Sequence, residues 1–126
     1  MHWRNRLFVT LSLLYGLLGG GVALGQIIAP AWIPAGRLIH AHFMLLGFVA
    51  MMIYGIGLHV LPRFSGRALY SERLADVQLL AANLGLWLLL LGWWLFLPAL
   101  SLAGGILAWA GMALFSINAI ITVRPR

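Results

Sequence analysis

The stretch RLIHAHFMLLGFVAMMIYGIGLHVLPR, residues 37–63, decides how this chain is read. It is a long apolar run that Asp, Glu and Lys never interrupt, yet it carries three histidines. His40 and His42 stand near its start and His59 near its end. About 20 apolar residues in a helix cross a hydrocarbon core about 30 Å thick, so the run reads as a membrane span. An ionisable side chain inside a span is costly, and by default it marks a functional group.

Three further runs flank this one. The four spans fall at about residues 7–29, 38–61, 74–97 and 99–123. Prolines stand at their ends: Pro30 and Pro34, then Pro62, Pro98 and Pro125. A proline removes an N–H and restricts the residue before it, so each is expected to stop a helix. Strict alternation, the mark of a membrane β-strand, is absent, and only helices satisfy the backbone in lipid at this length. The expected fold is all-α, an integral membrane four-helix bundle forming one domain over residues 1–126. The first run has a small-residue site at "ALG" like that of a cleaved leader. It is long enough to span, however, and is read as the first span.

Composition agrees. Of the 126 residues, 63% are hydrophobic and 8% charged, with a mean hydropathy of +1.03. A soluble domain of this size cannot bury that much apolar surface. The formal charge of +6 comes from eight arginines set against Glu72 and Asp76. In a soluble chain such a balance suggests nucleic acid. Here the charges lie between apolar runs and read as topology signals and lipid-phosphate contacts, so no nucleic-acid partner is expected. Arg4, Arg6, Arg63, Arg67, Arg73, Arg124 and Arg126 fall on one side of a four-span chain and only Arg37 on the other. The positive-inside rule then predicts both termini in the cytoplasm, in a membrane of the bacterial inner type. Cysteine is absent, which excludes disulfides, thiolate metal sites, covalent c-type heme attachment and cysteine catalysis.

The charge-free "FLPALS" connection makes spans three and four antiparallel neighbours. Gly16, Gly20, Gly21 and Gly25 in the first span, and Gly104, Gly105, Ala108 and Gly111 in the fourth, are small residues that let helix backbones approach. Packing within the chain is the expected use of both sets.

The histidine spacing limits the chemistry. Residues two apart on a helix point about 200° apart, so His40 and His42 cannot grip one ion unless the helix is broken there. His42 and His59 are about 25 Å apart along the axis and cannot share a metal. Heme is less demanding, because it is apolar and needs only one or two axial imidazoles. The other spans hold no histidine at the depth of His40 and His42. A six-coordinate outer heme therefore needs a ligand from a second protomer, which a two-fold dimer supplies. Otherwise the heme is five-coordinate.

The residues "GRLIHAHFMLLGF" carry a resemblance. The R-x-x-H of Arg37 and His40 at the outer end of a span resembles the catalytic subunit of heme-copper oxidases and nitric oxide reductases. "HAHFMLLGF" also resembles the NnrS-type membrane heme proteins and short four-span proteins similar to oxidase subunit I. "HVLPRFSGR" is similar to the exit of the second span in these families. The likeness covers residues 30–67, with "AANLG" of the third span as a weaker echo. It implies a b-type heme on His40 or His42, used for electron transfer or for binding heme or a diatomic gas such as nitric oxide. The chain lacks the later spans that bear the family's second heme ligand and copper histidines. It therefore holds no heme-copper catalytic centre of its own, and no catalytic residue is assigned.

The remaining polar groups fit around that expectation. Arg37 outside, and Arg63 and Arg67 inside, are placed to meet heme propionates. Gln78, Asn83 and Asn118 lie at the depth of His59 and are expected to form an interhelical hydrogen-bond cluster with it. His59 is also a candidate ligand for a second, inner heme, so the heme count is one per dimer interface, or two. Trp32, Trp87, Trp93, Trp94 and Trp109, with Phe96, read as interfacial or packing residues, and Met44, Met51 and Met52 as packing. One rival is a copper or zinc protein holding its metal between protomers through His40 and His42. The other is a cofactor-free assembly subunit of a respiratory complex. Expected partners are the bilayer, a second copy, and a redox partner or larger complex.

Overall fold

The computed structural model describes residues 1–124; Pro125 and Arg126, which the sequence reading used as a stop and a topology charge, lie outside the described residues. Four helices are long and apolar enough to cross a membrane: α1 (Trp3–Ile28), α2 (Gly36–Phe64), α3 (Glu72–Trp94) and α4 (Pro98–Val123). The chain is a multi-pass membrane protein folded as an all-helical bundle. Large apolar side chains face outward on every helix, as on Leu17, Ile28, Ile53, Leu80 and Trp109. Lipid is the solvent that makes such a surface stable.

The helix ends follow local chemistry, with three departures from expectation. Pro62 does not stop α2, which continues to Phe64. The carbonyls of Leu61 and Pro62 are taken up instead by the amides of Ser65 (3.0 Å) and Arg67 (2.9 Å). Gly66, at φ 63°, then turns the chain away. Helix α3 starts on Ser71, whose Oγ accepts from the Leu74 amide at 3.2 Å, as an N-cap should. It ends at Trp94 rather than Leu97. There Phe96 takes the left-handed conformation at φ 54°, and the Leu97 amide reaches back to Gly92 O at 2.8 Å. This closes the helix in the way a glycine usually does. Pro98 then opens α4, where its missing N–H costs nothing.

The third departure is inside α2. Directly after His42, residues Phe43–Ala50 form a π-helical segment. Its hydrogen bonds run one residue longer than those of an α-helix, a rare geometry found often at functional sites.

Small residues set the packing. Gly85, Gly92, Gly104 and Gly111 bring α3 and α4 together so closely that a Cβ on Gly104 would land on the Leu89 backbone, and one on Gly85 on that of Ala108. On α1, Gly16 and Gly19 admit Phe48, Phe43 and Met44 of the π segment, while Gly47 of that segment admits Tyr15. Gly20 and Gly21, by contrast, meet nothing, so the α1 set packs within the chain only in part. Helix α3 is the most buried, with 44% of its apolar window enclosed against 22–28% elsewhere.

Both described ends of the chain and the α2–α3 loop meet at one end of the bundle. Arg4, only 1% exposed, pairs with Glu72 at 2.6 Å and Asp76 at 2.7 Å. Arg4 was expected to touch lipid phosphate; instead it clamps α1 to the start of α3. Asn118 accepts from the Ser71 amide (3.1 Å) and donates to its carbonyl (2.7 Å), and Thr122 accepts from the Tyr70 amide at 3.0 Å.

Candidate functional site

The expected polar cluster dissolves into separate pieces. Asn118 holds the α2–α3 loop as described. Asn83 accepts from the Tyr15 hydroxyl at 2.6 Å, and that hydroxyl in turn accepts from Trp87 Nε1 at 3.2 Å. Gln78 is fully buried, and neither of its amide atoms has a partner among the described residues.

His59 is tied to its own helix. Arg63, one turn on, donates to His59 Nε2 at 2.7 Å. That contact uses the lone pair a metal would need and leaves the proton on Nδ1. It also takes Arg63 out of the propionate role in this arrangement. The Arg67 guanidinium, also expected to meet a propionate, contacts the Arg124 carbonyl.

His40 and His42 are prepared differently. His40 Nδ1 lies 2.8 Å from Gly19 O on α1. His42 Nδ1 lies 2.9 Å from Leu38 O, one turn back in α2. A ring nitrogen facing a carbonyl carries the proton, so each Nδ1 donates and each Nε2 keeps a lone pair. A backbone carbonyl holding the other nitrogen is the usual support of a metal-ligating imidazole. The two rings address different neighbours. His40 is held against α1, whereas His42 packs edge-on against Trp93 of α3, with ring centroids 4.6 Å apart. The π segment begins just beyond them and does not converge them. Among the described residues, no three His, Asp or Glu side chains gather around a common point.

His42 lines a cavity. A cleft of about 320 Å³ lies between α2, α3 and α4, walled by His42, Leu46, Leu89, Trp93, Trp109 and Met112. It shares Leu89, Trp93, Gly105 and Trp109 with a neighbouring apolar cavity of about 620 Å³ that extends toward Pro98 and Ser101. Trp109, at 71% exposed, stands at the lipid-facing side. The space exists because Gly105 and Ala108 present no bulk on this face of α4.

The groove brings one imidazole, a thioether and two indoles together on apolar walls. It does not fit a small hydrated ion, which needs several polar ligands. Sequence reasoning missed Met112. It lies 70 residues from His42 in sequence, and only packing joins them. Arg37 is exposed at the same end of α2. No family model, curated protein or solved structure matches the chain.

Proposed function

We propose that this protein binds b-type heme in the membrane, with His42 as the axial ligand. The observation that supports it is the His42 imidazole itself. Its proton is held on Nδ1 by Leu38 O, its Nε2 lone pair is kept, and it stands on the wall of an apolar cleft. The two joined cavities lie in the size range of cofactor pockets, roughly 300–1,000 Å³. Bound heme supplies one-electron transfer or diatomic-gas binding. In this reading Leu38 O keeps the imidazole in its ligating tautomer, and Trp93 holds the ring by edge contact. Leu46, Leu89 and Trp109 exclude water, and Arg37, at the same end of α2, would pair with a propionate. Met112, on the wall of the same cleft, or a residue of a second copy of the chain would serve as a further ligand. The arginine distribution orients the bundle with both termini in the cytoplasm, in a bacterial-type inner membrane. The rival reading holds copper or zinc between protomers through His40 and His42, and metal analysis of the purified protein separates it from heme.

The test is an absorption spectrum of the detergent-purified protein from heme-supplied cells, oxidised and then dithionite-reduced. A Soret band lost in His42→Ala and kept in His40→Ala is expected. If both variants keep full heme, the ligand assignment is wrong. If wild type shows no Soret band, the heme reading fails. Sharp reduced α and β bands that broaden in Met112→Ala assign the sixth ligand to Met112. A five-coordinate spectrum that shifts with carbon monoxide points to gas binding.

A further inference from the structure

The groove beside His42 continues toward the end of the bundle that bears Arg37. The apolar cavity of about 620 Å³ shares Trp93, Pro98 and Ser101 with one of about 400 Å³ that reaches Ala35, Leu38 and Phe96. That one in turn shares Ala35 and Leu38 with a cavity of about 480 Å³ at the α1–α2 loop, walled also by Gln26, Pro30, Pro34 and Arg37. On α4 the walls are Pro98, Ser101, Gly105, Trp109 and Met112, one face of the helix over about 21 Å of rise. A lipid chain fills about half of a hydrocarbon core about 30 Å thick, so the groove is long enough to take one. Leu102, Ile106 and Trp109 on its walls are exposed, so it opens toward lipid.

The chemistry changes along this path. In the loop cavity, Gln26 Nε2 donates to Ile33 O at 3.2 Å and fixes the course of the loop. Arg37 is exposed there and forms no ion pair among the described residues. The chain's acidic side chains, Glu72 and Asp76, are both spent on Arg4 at the other end. Beyond Leu38 the walls are apolar, and the Ser101 hydroxyl donates to Pro98 O at 2.9 Å rather than to an occupant. A reachable cation at the end of the membrane helices thus adjoins an apolar groove. This arrangement fits an amphiphile with an anionic head and a hydrocarbon chain. A zwitterionic head brings its own ammonium, for which this cavity has no carboxylate.

We propose that this path is the binding site of one anionic phospholipid, with its phosphate on Arg37 and one acyl chain in the groove between α3 and α4. Gly105 makes room for the chain: a Cβ there would meet only Leu89 Cδ1, at 3.9 Å. The lipid takes the groove in the heme-free protein, and heme competes with its chain. The inference does not depend on heme, because heme is read by its Soret band and the lipid by where its chain attaches.

Phosphatidylglycerol carrying a photoreactive diazirine in one acyl chain, added to the heme-free full chain in detergent, tests this. After illumination, peptide mass spectrometry locates the label. It should concentrate on Leu102, Gly105 and Ile106 of the groove, in preference to lipid-facing Leu17 and Leu80. Unlabelled phosphatidylglycerol should compete about fivefold better than phosphatidylcholine, the effect of one arginine near the membrane surface. Arg37→Gln should lower groove labelling by about the same factor. Arg37 is exposed, so this variant reads the site without disturbing the fold. Gly105→Leu, which fills the groove, should also lower the label; if that variant does not fold, Arg37→Gln decides. Label spread evenly over the outer faces of the helices overturns the proposal, as does groove labelling that Arg37→Gln leaves unchanged. Water-soluble glycerophosphoglycerol should compete far more weakly than the lipid. If it competes equally well, the head alone is bound and the lipid assignment falls.

Discussion

Gln78 is the side chain whose surroundings least suit its chemistry. It is fully buried in α3, and both amide atoms lack a partner among the described residues. Replacing an unmatched buried amide by an apolar group of similar size removes a desolvation cost of about 1–3 kcal/mol. Gln78→Leu should therefore raise the unfolding midpoint in detergent, and the Soret band of heme-supplied protein should not change. A lower midpoint would mean that Gln78 has a partner the four helices do not provide. The histidines make a different point at this scale. Their presence in a span was plain from the sequence, and so was the divergence of His40 from His42, because helical geometry requires it. Which lone pair stays available was not. That depends on Leu38 O, Gly19 O and Arg63, and only the last is a polar side chain visible in a residue string.

At the scale of the element, adjacent glycines differ in what they tolerate. A Cβ on Gly104 would strike the Leu89 backbone, which cannot move aside, whereas one on Gly105 would meet only Leu89 Cδ1 at 3.9 Å. Gly104→Ala should cost about 1–3 kcal/mol through forced separation of α3 and α4. Gly105→Ala should be neutral or mildly stabilising, since alanine loses less backbone entropy than glycine. Thermal melts of the two variants side by side check this, and equal melting points would refute the close α3–α4 approach. The sequence marked both as small residues but could not rank them, since the ranking depends on the rotation of α4 about its own axis. The π segment was equally hidden. No residue in Phe43–Ala50 announces it, and its course is set by how Gly47 seats against Tyr15 and how Gly16 and Gly19 receive Phe48 and Met44.

For the whole molecule, the arginines do two jobs. Arg4 is internal, spent on Glu72 and Asp76. Arg6, Arg63, Arg67, Arg73 and Arg124 remain at the same end, against Arg37 at the other, so the asymmetry survives the loss of one charge to packing. Fusions at the C-terminus test the proposed orientation. A green fluorescent protein should fluoresce there and an alkaline phosphatase should be inactive; active phosphatase would invert the topology.

What the sequence by itself determined is the number of spans, the helical class and the antiparallel pairing of α3 and α4. These follow from span length, from the need to satisfy every backbone group in lipid, and from a connection too short to allow any other course. The tertiary structure decided which polar residues are partners. The clamp of Arg4, the contact of Tyr15 with Asn83 and the cleft shared by His42 and Met112 all depend on how helices rotate against one another. That rotation is set by side-chain volume summed over several helices, a quantity that no local pattern of residues contains.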